Sequence, residues 1–350
     1  MINKVNACIL LFGTPDFALP ALEGLVKNGY TIAGVVTRPD EPVGRGSIIT
    51  PPPVKVLAEK YNLPIFQPER LDVSFFRHSE SFDFAQDKLR EESRQVTGSL
   101  ATTRDDHNSL IIDAELFIVA AYGKIIPNEI LKIPQYGVLN IHPSLLPKWR
   151  GASPIQSAIL NGDSETGVSI IKLDEQMDHG PIVAQEVIPL APDSTYPKLH
   201  DELAKIGAKL LIESLPKYLS GEIKPTPQDD NHATFCKQFR KDDGRVNWSR
   251  PAIEIERMVR ALNPWPSVWT LWPAQKQIYR VRIDEAAIVQ DEDPAQSSAG
   301  HIWQSAEYPL LVKTGSGSIA IIRATIEGKK SLTAADLVRG YPHIIGATFV

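Results

Sequence analysis

VNACILLFGTPDFALPALEGLVKNGYTIAGVVT, residues 5–37, decides the fold. Val5 to Phe12 is apolar except for Asn6, long enough for a central strand. Gly13-Thr14-Pro15-Asp16 turns the chain, and Thr14 or Asp16 is placed to cap a helix. Phe17, Leu19, Leu22, Leu25 and Val26 follow at helical spacing, Asn28-Gly29 closes the helix, and Thr31 to Thr37 is a second strand. Strand, helix and strand within these residues make a βαβ unit, whose right-handed crossover sets the two strands parallel. Gly13 lacks a Gly-x-x-Gly continuation, so no dinucleotide cofactor is expected.

Outward from that unit, Val54 to Tyr61 reads as a helix, Leu63 to Phe66 and Ala114 to Ala121 as strands, and Val138 to Ile141 as a buried strand. Arg45 lies between two glycines in a Pro- and Gly-rich loop, free to reach a phosphate, although on the sequence alone a solvated loop arginine is the preferred explanation. Asp72 to Asn108 is polar and without sustained period, which predicts a surface insertion, partly helical around Phe84 to Arg94. Gly167 to Leu173 and Pro181 to Ile188 are strands joined by a charged tip, and Tyr196 to Leu219 is a long helix. Beyond a linker-like stretch from Gly221 to Asn231, short strand candidates at Ile278–Ile283, Ala287–Val289, Gly300–Trp303, Leu310–Lys313 and Ser318–Ile322 suggest a small antiparallel barrel.

The chain has 350 residues, 43% hydrophobic and 23% charged, an ordinary globular composition large enough for two domains. No apolar run is long enough for a membrane span and no signal peptide is evident, so a cytoplasmic protein with no membrane partner is expected. Cys8 and Cys236 are too few and too separated for a metal or disulfide framework. The formal net charge is −5; residues 1–225 carry 22 basic and 28 acidic side chains, and residues 226–350 carry 15 and 14. Neither half is basic enough for a general attraction to nucleic acid, so any RNA contact must be local.

Asn140 and His142 interrupt the strand at Val138 two residues apart, on one face, and Pro143 to Pro147 stops it. Asp178 lies on the later charged tip. An amide donor, an imidazole and a carboxylate suit acyl or formyl transfer to an amine, in which the amine loses a proton and the carbonyl oxygen becomes negative. Ser144 lacks a Gly-x-Ser-x-Gly elbow, so direct transfer is expected rather than a covalent intermediate. Each residue also has a structural explanation: a strand end, a core histidine, a turn. His142, Asp178 and His179 have no metal-ligand spacing, and no metal is expected.

Asn140-Ile141-His142-Pro143-Ser144-Leu145-Leu146-Pro147, then Trp149-Arg150-Gly151-Ala152 and Leu173 to Asp178, resemble the formyltetrahydrofolate-dependent formyltransferases. Gly13 to Phe17, Pro39-Asp40, Gly44-Arg45-Gly46, Val54 to Ala58, Ala121-Tyr122-Gly123 and Asn263-Pro264-Trp265-Pro266 extend the match over nearly the whole chain. The resemblance implies an α/β fold: a Rossmann-like catalytic domain over residues 1–207 with a polar insertion at about 72–109, a helix end and linker at 208–229, and an OB-like β-barrel over 230–350. It implies 10-formyltetrahydrofolate as formyl donor, aminoacylated initiator tRNA as acceptor, and a monomer. Asn140 and His142 would polarise the formyl group and stabilise the oxyanion, while Asp178 would orient His142 and help take the amine proton. Ser144, Leu145, Leu146, Pro147 and Tyr122 would line the folate site, and Arg45 would contact tRNA. Water or an amino sugar nucleotide as acceptor, and a non-catalytic RNA-binding module, are the competing expectations. His179 stands where the family carries small residues.

Overall fold

Strand β1 (Cys8–Gly13) is wholly buried and begins a computed structural model that describes residues 7–43, 46–76, 114–275, 277–290 and 297–350. A 3-10 turn, Asp16–Ala18, leads into the helix Leu19–Lys27 and then β2 (Thr31–Val36), which pairs parallel with β1. The Pro- and Gly-rich loop expected from Arg38 to Pro51 instead carries two short antiparallel strands, β3 (Glu41–Val43) and β4 (Ile48–Thr50). After the helix Pro53–Lys60 come β5 (Ile65–Phe66), β6 (Leu116–Ala120), β7 (Val138–His142) and the two-residue β8 (Arg150–Gly151). β9 (Glu165–Lys172) and β10 (Ile182–Pro189) complete a seven-stranded sheet in the order β10-β9-β7-β6-β1-β2-β5.

From β7 to β5 the strands are parallel, and β9 runs antiparallel to β7. The chain steps from β1 to β2 and β5, then returns on the other side through β6 and β7. That reversal opens a crevice at the carboxyl ends of the strands, the usual ligand position in open α/β sheets. Phe12, Phe117, Tyr122 and Phe76 pack as a ring cluster, Phe12 lying 5.4–6.3 Å from the other three centroids. Phe76 ends the 3-10 turn Val73–Phe76, so the first residues of the expected polar tract include a core residue. The rest of that tract, Phe84 to Arg94 included, lies outside the described residues.

The chain forms two compact units. The first comprises Met1–Arg150, Gly167–Val187 and Asp201–Ala233; the second comprises Gly151–Thr166, Ile188–His200 and Thr234–Val350. Within the first, the helix Tyr196–Leu219, from Asp201 onward, approaches the sheet at Gly207, where a Cβ would fall 2.6 Å from Ile141 Cγ2.

In the second unit the helices Pro154–Asn161 and Ala252–Leu262 pack together. After β11 (Phe235–Cys236), strands β12 (Val268–Pro273), β13 (Ile278–Val289), β14 (Ile302–Trp303), β15 (Leu311–Lys313), β16 (Ser318–Ile326) and β17 (Leu332–Thr333) build an antiparallel sheet. Its order is β12-β13-β16-β15-β14 with β17 on β16, in keeping with the expected barrel-like domain. Where the sequence suggested two strands, β13 is continuous, because irregularities at Ile283/Glu285 and Glu285/Ala286 carry the ladder past Asp284. Trp272 stacks on its cross-strand partner Tyr279 at 5.2 Å, and the Arg280 guanidinium lies 3.7 Å over the Trp269 ring. Among the described residues no helix is long and apolar enough to cross a membrane.

Candidate active site

β7 delivers His142 to its carboxyl end, inside the crevice. The side chain is 5% exposed, and Nδ1 lies 3.6 Å from Asp178 Oδ1, whose side chain is 14% exposed. That separation exceeds a hydrogen bond. The other ring nitrogen, Nε2, is 3.0 Å from the Trp149 carbonyl. A carbonyl can only accept, so the proton belongs on Nε2 and Nδ1 is the atom turned toward Asp178. The tighter restraint on the imidazole is therefore the Trp149 carbonyl rather than Asp178. Trp149 holds that carbonyl in place with a left-handed backbone, φ 62°.

Asn140 is half-buried and two residues upstream on the same strand, so its side chain shares the face of His142. Register with β9 places Asn140 opposite Ile171 and His142 opposite Ser169. The structure thus brings His142 and Asp178 together and sets Asn140 on the strand face of His142.

The loop after β7 is fastened by residues that the sequence reading passed over. Ser169 Oγ donates to the Ser144 carbonyl at 2.6 Å and accepts from the Leu146 amide at 3.0 Å. Gln185 Nε2 donates to the Leu146 carbonyl and to Ser169 Oγ, both at 2.8 Å. Ser144 is fully buried and its hydroxyl is spent on the Lys148 carbonyl at 2.6 Å. Leu146 is buried, Leu145 and Pro147 are half-buried, and the Leu146-Pro147 peptide is cis. A serine inside the apolar run Gly167 to Leu173 was the available signal for Ser169.

Tyr122 is 1% exposed, with its ring edge-on to Phe12 and its carbonyl accepting from Thr14 Oγ1 at 3.0 Å. Burial pushes its phenol up to about 12, against an opposing effect of Arg38. Its ring belongs to the core, and its backbone faces the first βα turn. Arg45 lies outside the described residues; the hairpin strand after it exposes Ile48 and Ile49 at 71% and 68%.

Asp178 sits at the tip between β9 and β10 with φ 50°, a left-handed conformation that Asp and Asn tolerate best among non-glycine residues. Gly180 presses its Cα against the Lys172 carbonyl, where a Cβ would collide. The tip is braced from its flank: His179 Nδ1 is 2.6 Å from Asp174 Oδ2, and Nε2 is 3.5 Å from Asp230 Oδ2. The hydrogen bond to Asp174 raises the His179 pKa; Asp230 adds to this, while desolvation and the Arg150 charge oppose it. Asp230 is itself held below the usual carboxylate range, chiefly by Arg150 Nη2 at 2.7 Å.

An open α/β sheet with an imidazole–carboxylate pair and an amide at its carboxyl edge defines a Rossmann-type domain equipped for acid–base chemistry. Formyl transferase sequences match residues 5–215, and the formyl transferase C-terminal domain matches residues 238–342. The chain belongs to the formyl transferase family. It is 42% identical to the methionyl-tRNA formyltransferase of Chloroflexus aurantiacus over 95% of this chain and 96% of that one. Among solved structures, it resembles an N-formyltransferase from Helicobacter canadensis in complex with folinic acid and dTDP-3-aminofucose. That match has TM-score 0.59 and 16% identity, covering 91% of this chain and 98% of that one. HypX from Aquifex aeolicus in complex with tetrahydrofolic acid matches with TM-score 0.56 and 16% identity over 95% of this chain. This chain spans only 46% of HypX. At such identities the two structures speak to the fold alone.

Proposed function

We propose that this chain transfers the formyl group of 10-formyltetrahydrofolate to the free amino group of methionyl-tRNA, and that the acceptor is the initiator tRNA. It would act as a monomer in the cytoplasm. The observation that carries the acceptor is a match over nearly the full length, both units included, to relatives named for that reaction. The chemistry rests on the His142–Asp178 pair with Asn140 on the same face.

In this reading the methionyl amine attacks the formyl carbon, negative charge develops on the formyl oxygen, and collapse of the adduct breaks the bond from that carbon to N10, which takes up the proton lost by the amine and leaves as tetrahydrofolate. Asn140 donates its amide hydrogen to that oxygen. His142 is held by its Nε2–H on Trp149, so only Nδ1 can serve the reacting centre. Asp178 accepts the proton that the amine must lose, within reach of Nδ1. The donor would sit against the loop 144–147, which follows His142 directly and is fastened by Ser169 and Gln185. Side chains of Leu145 and Pro147 and the backbone of that loop would meet the folate, with Ser144 and Tyr122 shaping the site from behind. Arg45, in the Pro- and Gly-rich stretch of the sequence, would contact the tRNA.

The purified chain, given 10-formyltetrahydrofolate, is offered methionyl initiator tRNA, an amino sugar nucleotide, or water alone. N-formylmethionyl-tRNA should form fastest by orders of magnitude. Preferential formylation of the sugar, or hydrolysis at an equal rate, would overturn the reading, and no turnover with any acceptor would leave only a binding protein.

A further inference from the structure

Gln228 lies in the stretch that its composition marked as linker, yet it spends its whole amide on the candidate active site. Its Nε2 donates to the Asp178 and Gly180 carbonyls, both at 2.8 Å. Its Oε1 accepts from Arg150 Nε at 3.1 Å and Arg150 Nη2 at 2.9 Å. Arg150 is 4% exposed and also reaches Asp230. All of these groups belong to the first unit.

The two ends of this bracket meet the two halves of the acid–base pair. Arg150 follows Trp149, whose carbonyl fixes His142 Nε2. Gln228 grips the carbonyls that flank His179, and one of them belongs to Asp178 itself. Asp178 occupies a left-handed conformation, which persists only when its surroundings over-determine it. Two carbonyls drawn onto one amide supply that over-determination.

We propose that Gln228, seated on Arg150, is a positioning residue that sets the separation of His142 Nδ1 and Asp178 Oδ1. The inference rests on the formyl transfer reading. Gln228 does not touch the reacting atoms; it acts through the backbone of the Asp178 loop. Its loss therefore lowers kcat and moves the pH profile, with little effect on the KM of either substrate.

Gln228→Glu keeps an acceptor for Arg150 but has no N–H for the two carbonyls, and Gln228→Met is a neutral chain of similar length with neither function. Steady-state formylation, its pH profile and the thermal midpoint are measured for both beside wild type. Both variants should lose kcat by about 10- to 100-fold, the range for a catalytic group displaced by about 1 Å. Both KM values should stay within about threefold, and the alkaline or acid limb of the kcat profile should shift.

A kcat within twofold of wild type in Gln228→Met overturns the proposal. So does a loss confined to Gln228→Glu, which would report added charge. A fall in kcat, both KM values and thermal midpoint together overturns it too, as the mark of a general structural role. If both variants fail to fold, Arg150→Lys, which keeps the charge and loses the two-pronged contact, must show the same kcat-selective loss or the proposal falls. Absence of formylation by wild type would instead defeat the underlying reading, before any variant is compared.

Discussion

Asp178 carries two demands at once: a carboxylate opposite an imidazole, and a backbone in left-handed space. Asparagine tolerates that backbone and keeps the shape while removing the proton acceptor. Asp178→Asn should therefore lower kcat by about 10²- to 10⁴-fold, as expected for a lost general base, with folate binding retained. Turnover near wild type, with donor affinity measured by fluorescence or calorimetry as the control, would remove Asp178 from the chemistry. Alanine is the poorer probe, because it changes backbone preference and charge together.

At the scale of elements, the 3-10 turn Val73–Phe76 inserts one aromatic ring into the cluster of Phe12 and Phe117. Phe76→Ala should cost about 3–5 kcal/mol, the usual range for a buried phenylalanine, read from denaturant midpoints at constant m. The β9–β10 tip has a pH dependence of its own. Asp174, Asp230 and Arg150 are the charged groups facing His179, and their net effect is to raise its pKa. The stabilisation is then fully present below the ordinary imidazole value of about 6.5 and is lost as pH rises through the raised folded value. The thermal midpoint of wild type should exceed that of His179→Ala at pH 6, and the gap should narrow by pH 8.5; a gap that widens would reverse the assignment. Arg45→Ala should raise KM for tRNA several-fold and leave KM for the folate unchanged, and equal changes in both would reject a tRNA contact by Arg45.

The same elements show what was legible in the sequence. β1, β2, β6 and β7 announced themselves as apolar runs between turns, because a strand buried on both faces needs apolar side chains throughout. Asn140, His142 and Asp178 stood out as polar residues breaking such runs or closing them. Ser169 broke one too, but a single serine among apolar neighbours does not say which backbone it will bind. Gln228 carried no periodic signal at all, since its partners are carbonyls 48 and 50 residues away. β12 was overlooked because its Pro-rich approach, Asn263 to Pro266, reads as loop, and the bulges in β13 made one strand read as two.

For the molecule as a whole, the net charge of −5 leaves recognition of an RNA acceptor to local contacts rather than to a long-range field. The division of the chain has a sharper outcome. It passes between units at 150/151, 166/167, 187/188, 200/201 and 233/234. The helix Pro154–Asn161, encoded in the middle of the catalytic half, packs on Ala252–Leu262 from the carboxyl-terminal half. A fragment ending at Ala233 lacks that partner and exposes the face of Pro154–Asn161 that packs on it. It should bind a hydrophobic dye and precipitate where the full chain does not, and a soluble, dye-free fragment would contradict this. In genetic terms the two units are not interchangeable cassettes. A crossover that replaced residues 234–350 would also have to supply a matching surface for a helix inherited from upstream, so the halves of this chain are constrained to change in step.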